Sequence, residues 1–281
     1  MAQQVSPIFL WAAVLAYLQA TVAYQLLLAL RRPRFGRWAT IGLLVGMVAH
    51  SLSLLVRWLA EGRLILGTGT DTLAFYVWLT VAIYLALERA MGQKALGALI
   101  APLACLALLA AALAPRQSAP ALAPFVESIW LPVHVVVSFA SYASLTVAFG
   151  CAVLYLMQQR QLKSRRLWRL FAYLPPLGTL ELLTYRLIEV GFVLLTLAIV
   201  VGAFGSEQAW GSYWSWEPKE TAALVTWLIY LGYFHLRNVA GWAGKHTARL
   251  AVAGFVAVLF TYLVVSLVLP GQHDFGLVGR L

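Results

Sequence analysis

The chain has 281 residues, of which 62% are hydrophobic and 11% charged, with a formal net charge of +10 at pH 7. That balance excludes an ordinary soluble domain, and the apolar runs are long enough for spans, each of which needs about 20 residues to cross about 30 Å of hydrocarbon. In a soluble protein the excess of Lys and Arg would suggest nucleic acid. Here it falls in the connections between apolar runs, so a lipid bilayer and no nucleic acid is expected.

The expected fold is all-α: a polytopic membrane protein of about eight transmembrane helices, forming a single helical domain over 1–281. Helix 1 is expected at about 7–30, helix 2 at 38–60, helix 3 at 70–88 and helix 4 at 95–114. Helix 5 follows from near Trp130 to near Gln159, helix 6 over 184–204, helix 7 over 218–238 and helix 8 over 248–269. The first run is long enough to span and is followed by Arg31, Arg32, Arg34 and Arg37, so no cleavable signal is expected. Basic residues concentrate in alternate connections: Arg31 to Arg37, Arg89 with Lys94, the 160–169 run, and Arg237 to Arg249. The positive-inside rule then puts both termini and the loop at 205–218 outside, with Arg63, Arg116, Lys219 and Arg280 as exceptions. Gly202, Gly205 and Gly211 bracket the exit from helix 6 and suit a close turn there. No internal repeat is visible, which weakens an inverted-repeat transporter. Cys105 and Cys151 stand alone in apolar runs, without a C-x-x-C spacing, so neither supports redox or metallochaperone chemistry.

The 205–218 loop carries Trp210-Gly-Ser-Tyr213-Trp214-Ser-Trp216-Glu217-Pro218-Lys-Glu220. Four aromatics broken by small residues suit an exposed platform on which a planar apolar ligand can stack. An aromatic belt at the membrane–water interface accounts for the composition equally well. Pro218 suits the first turn of the next helix, where its missing N–H costs nothing.

The order WGSYWSWEPKE resembles the tryptophan-rich "WWD" signature of haem-handling proteins of cytochrome c biogenesis, within them the CcsA (ResC) family. The similarity extends from YRLIEVGFVLL through YLGYFHLR, is clearest from His134 to His273, and thins towards the N-terminus. Glu217 stands where the family usually has Asp. The resemblance implies a platform of Trp210, Tyr213, Trp214, Trp216 and Glu217, and two external histidines that bind haem iron, one on each face of the porphyrin. The matching contexts are LPVHVVVSFASYA, with His134, and PGQHDFG, with His273; in the second the family's His-Ser-Tyr has become His273-Asp274-Phe275. The family's intramembrane histidine, in a Tyr-Leu-His-x-Arg pattern, matches Tyr233-Phe234-His235-Leu236-Arg237.

His235 lies about 25 Å from the outer end of helix 7 by helical rise, and an imidazole at that depth is expected to face the bundle interior. Its second iron ligand is expected from a CcsB (ResB)-like membrane protein, as in the family. His50, nearer the midplane, is expected to be a hydrogen-bonded interior histidine, and His246 to be solvated. Arg186 and Glu189 can pair at i, i+3; they lie near the level of His235, where Arg186 could serve a haem propionate. Past Arg57 the family usually has Gly-His-Phe-Pro and a Glu-Ser pair, where this chain has Gly62-Arg63-Leu64-Ile65 and Asp71-Thr72.

The resemblance therefore implies the haem-export and haem-presentation subunit of a CcsA–CcsB holocytochrome c synthase of the haem-lyase type, with haem b as substrate and ligand. Its partners would be the CcsB-like protein, apocytochrome c and a thioredoxin-like thiol reductant. Its place would be a bacterial cytoplasmic membrane or the thylakoid equivalent, with the site on the external face. The chemistry would be thiol addition to haem vinyls, with no nucleophile from this chain. Two other readings remain: a haem-binding membrane regulator without synthase activity, and a secondary transporter for a small solute.

Overall fold

The computed structural model describes residues 2–61, 68–114, 130–164 and 174–264. His273, the 115–128 connection, residues 165–169 of the basic run and the stretch from Gly62 to Ile65 lie outside the described residues. Among those described there is no strand; the helices are α1 (Ala2–Leu30), α2 (Pro33–Glu61), α3 (Gly69–Met91), α4 (Gly97–Leu113), α5 (Trp130–Lys163), α6 (Leu177–Trp210), α7 (Pro218–Asn238) and α8 (Lys245–Leu259). A π-helical turn, Phe260–Val264, continues α8. Six of these helices are long and apolar enough to cross a membrane, and α4 is a shorter apolar helix. The chain is an all-α polytopic membrane protein, as expected.

Several boundaries differ from the sequence reading. α1 and α2 begin several residues earlier, and α6 runs on through Trp210 rather than ending near residue 204. At about 51 Å of rise, α6 exceeds the hydrocarbon thickness. It ends where Gly211 turns left-handed (φ +73°) and its N–H returns to the Glu207 carbonyl at 2.8 Å, a C-terminal glycine cap. Gly202 and Gly205 are ordinary helical residues.

The chain divides into two compact units, with the breaks inside α5, after residue 153, and near the start of α6, after residue 180. The first contains α1 to α4, the end of α5 from residue 154 and the start of α6 to residue 180. Its enclosed side chains include Tyr17, Tyr24, Tyr84, Leu43, Ile100 and Leu108. Near the basic connections the carboxylate of Glu88 is buried. Tyr24 and Tyr84 donate to one of its oxygens and Thr40 to the other, and the Lys94 ammonium stands 3.5 Å away. Lys94 also donates to the Gly36 carbonyl at 2.9 Å. One acid thus ties α1, α2 and α3 to the connection before α4. Elsewhere in the unit Arg57 pairs with Asp71 at 2.9 Å, beside a cavity of about 240 Å³ that Ser6, Trp11 and Ser53 also line. His50 is fully buried, its Nδ1 3.4 Å from the Tyr17 hydroxyl, which agrees with the expectation of a hydrogen-bonded interior histidine.

The second unit contains α5 to residue 153, α6 from residue 181, α7, α8 and the π turn. α6 and α7 meet through a Phe192–Trp227 stack (5.4 Å, 25°) and a hydrogen bond from the Trp227 indole to Thr196 at 2.9 Å. α7 and the π turn meet at Thr226 and Thr261, 3.0 Å apart. Tyr262 in that turn packs edge-on against Phe139 of α5. Cys105 and Cys151 are both buried free thiols, in the first and second units respectively.

Removing Glu88 takes the acceptor from the Tyr24 and Tyr84 hydroxyls and the counter-charge from Lys94, and each buried polar group left without its partner costs about 1–3 kcal/mol. Glu88→Ala is expected to lower the thermal unfolding midpoint in detergent strongly, and Glu88→Gln less. An unchanged midpoint in Glu88→Ala would remove the clamp from its place in the fold.

Candidate functional site

The aromatic loop is built from α7 backwards. Pro218 opens α7 at the first helical position, as expected, with Glu217 at the N-cap and Glu220 three residues on. One oxygen of Glu220 accepts from the Ser215 N–H at 2.9 Å, the Ser215 hydroxyl at 3.2 Å and the Glu217 N–H at 3.3 Å. This is the reaching-back arm of a capping box, extended to hold the loop. Trp216, between those two anchors, adopts a left-handed backbone (φ +59°). For a residue with a Cβ that costs about 1–2 kcal/mol, and the neighbouring bonds hold it. The Thr221 hydroxyl adds one to the Trp216 carbonyl at 3.3 Å.

The outcome is aromatic surface turned outward. Trp216 is 70% exposed, Tyr213 56% and Trp210 39%. Trp214 is half-buried and meets Trp216 edge-on at 5.8 Å. Trp210 belongs to the last turn of α6, so the platform is part helix and part loop. Glu217, where the family usually has Asp, is buried.

His134 lies one turn into α5 and is brought to the same end of the unit as the loop. Its Nδ1 is 2.8 Å from the Ala198 carbonyl of α6. One turn earlier on α5, Trp130 stacks on Phe204 of α6 (5.6 Å, 22°). Phe204 in turn meets Tyr213 of the loop edge-on at 5.9 Å.

His235 and Arg186 belong to the other end of the α6–α7 pair. There Tyr185 packs edge-on against Phe234, and Arg237 pairs with Glu181 at 3.1 Å while lying over the Tyr185 ring. About 26 Å of helical rise separates Tyr185 from Gly202, beside His134. Two histidine sites at separate depths are therefore compatible with this unit. His235 itself is exposed, contrary to the interior placement expected from the cost of an intramembrane imidazole. It shares the outer face of α7 with Val225, Leu228 and Leu231. Arg186 pairs with Glu189 at 3.1 Å, as expected, and is 68% exposed. His246 is exposed beside Trp242. No cluster of three or more His, Cys, Asp or Glu fit to hold a metal occurs among the described residues.

Sequence reasoning passed over Glu220, Glu181 and the packing role of Gly202. Only Glu220 had a signal, the spacing from Glu217 that marks a capping box.

The fold is that of a membrane protein whose helices bring an exposed aromatic loop and a histidine to the same end of a helix pair. The family model described as Cytochrome C assembly protein matches residues 66–273. The chain is similar to the cytochrome c biogenesis protein CcsA of Chlamydomonas reinhardtii, at 38% identity over 231 residues, covering 80% of this chain and 64% of that one. It is similar to CcsA of Synechococcus sp. strain CC9902 at 36% identity over 247 residues, covering 79% of this chain and 81% of that one. Its fold is that of the cytochrome c haem lyase CcmF, with a TM-score of 0.67 at 16% identity; the match covers all of this chain and 52% of that one. The chain belongs to the CcsA family of cytochrome c assembly proteins, a family of cytochrome c maturation.

Loss of the Glu220 carboxylate should loosen the loop without unfolding α7. In Glu220→Ala, amide exchange at residues 211–217 is expected to rise about fivefold, the equivalent of a cap worth ~1 kcal/mol. Unchanged exchange there would mean that the loop is held by other contacts.

Proposed function

We propose that the chain is the haem-export and haem-presentation subunit of a two-component holocytochrome c synthase. The observation that supports this reading is His134 at the same end of the helix pair as a loop that exposes Trp216, Tyr213 and Trp210, linked to it through Trp130, Phe204 and Tyr213. The aromatic faces would stack on the porphyrin of haem b, the substrate, while His134 and His273 would hold its iron. Each thiol of an apocytochrome Cys-x-x-Cys-His segment adds across a vinyl group, sulfur to the carbon next to the ring and hydrogen to the terminal carbon, with nothing leaving. The chain contributes position and axial ligation. Because Cys105 and Cys151 are buried, the reduced state of the substrate thiols is assigned to a separate thioredoxin-like protein.

His235 would hold haem at an inner site, with Arg186 available to a propionate. Its exposure on the outer face of α7 favours a second ligand from a CcsB (ResB)-like partner chain over one from within this chain. The basic connections favour an external platform, in a bacterial cytoplasmic membrane or its thylakoid equivalent.

The test is expression of the full chain with a CcsB-like partner and a c-type reporter, reading covalent haem by stain and bound haem by optical spectrum. His134→Ala and His273→Ala are expected to lose the external haem spectrum, with partial return on added imidazole, and to spare the inner haem. His235→Ala is expected to lower haem at both sites. Wild-type haem content and spectra in both His134→Ala and His273→Ala without imidazole would refute the assignment. Bound haem with no thioether formed would point to the regulator instead. The double Cys105→Ala, Cys151→Ala chain is expected to mature the reporter fully; its failure at normal protein levels would give one thiol a chemical role.

A further inference from the structure

α5 and α6 are joined by side chains of one helix bonded to carbonyls of the other. The His134 imidazole meets the Ala198 carbonyl at 2.8 Å, and the Ser141 hydroxyl donates to Gly191 at 2.7 Å. The Ser144 hydroxyl donates to Leu187 at 2.8 Å. As the donor advances along α5, its acceptor retreats along α6 in step, so the antiparallel register is pinned at three levels. The helices come close because α6 has glycine where α5 presses on it. A Cβ at Gly191 would lie 2.6 Å from the Leu145 side chain, and one at Gly202 would lie 2.8 Å from both Nδ1 and Cε1 of His134.

Gly202 is helical and does not have a positive φ, so its backbone makes no demand for glycine. In a helix interior glycine costs about 1 kcal/mol relative to alanine. What the position requires is space for the imidazole. The Ala198 carbonyl can only accept, so Nδ1 carries the proton and the lone pair resides on Nε2. A carbonyl that fixes the tautomer and ring direction of a histidine in this way also makes its other nitrogen a better iron ligand.

We propose that Gly202 and the Ala198 carbonyl form a seat in α6 that holds His134 as the Nδ1–H tautomer and presents Nε2 to haem iron. Gly202 is then a positioning residue for the synthase; the proposal rests on the reading of His134 as a haem ligand. Register, tautomer and ring direction are all set by the helix pair, and the Trp130–Phe204–Tyr213 contacts carry that geometry into the loop.

The test uses the full chain purified without haem, with isotopically labelled histidine, the His134 signal being assigned by its loss in His134→Ala. Wild type is expected to show the Nδ1–H tautomer by ¹⁵N shifts, and Gly202→Ala to lose it. Hemin titrated in a His235→Ala background is expected to bind about 10- to 100-fold more weakly in Gly202→Ala, and added imidazole to restore the bis-imidazole spectrum. Gly191→Ala crowds Leu145 in the same interface but touches no histidine, and is expected to match wild type in His134 shifts and hemin affinity. Gly202→Ala with wild-type shifts and affinity would overturn the proposal, as would Gly191→Ala reproducing its effects. If Gly202→Ala alters the tautomer while His134→Ala binds hemin as wild type does, the seat is upheld and the haem-ligand reading fails.

Discussion

The second unit depends on one constraint: the side chains of α5 that carry hydrogen-bonding groups find their partners among the carbonyls of α6. In hydrocarbon a hydroxyl or imidazole has no water to turn to, so such contacts are made across helices, and each contributes only about 0.6 kcal/mol on average. Their value here is geometric. Three of them in one register leave α5 no freedom to slide, and small residues in α6 let the helices approach closely enough for the bonds to form. The first unit solves a similar problem differently, by concentrating its polar groups on one buried carboxylate, Glu88, reached from three helices and a connection.

Much of the architecture was legible in the chain because the bilayer demands it. The apolar runs marked the helices, and Pro218 marked the start of α7, since proline is at home at the first helical position. The end of α6 was misread. Three glycines suggested an exit near residue 204, yet only Gly211 turns the chain, while Gly202 makes room for a neighbour. A glycine that serves packing and one that serves a turn look alike in one dimension. The Glu88 clamp had no local signal at all, because Tyr24 and Thr40 come to it from distant parts of the chain.

Of the candidate site, the Trp loop and His134 were legible from residue types and their order, and the structure brings them to one end of the helix pair. His235 was placed correctly along α7 but not around it. The rule that a membrane histidine faces inward holds for a chain that is complete in itself. Here the imidazole instead lies on the outer face of the helix, among Val225, Leu228 and Leu231.

Glu220 and His235 sit on one uninterrupted helix. The first turn of α7 holds the backbone of the aromatic loop, and the last turn carries the outward imidazole, about 22 Å away by helical rise. An α-helix of this length is stiff, so the direction in which His235 points and the direction from which Glu220 grips Ser215 are fixed relative to each other. A rotation of α7 about its own axis would re-aim both at once. The helix is therefore a shaft between the two ends of the unit: a change of angle at His235 is a change of angle at the grip on Ser215.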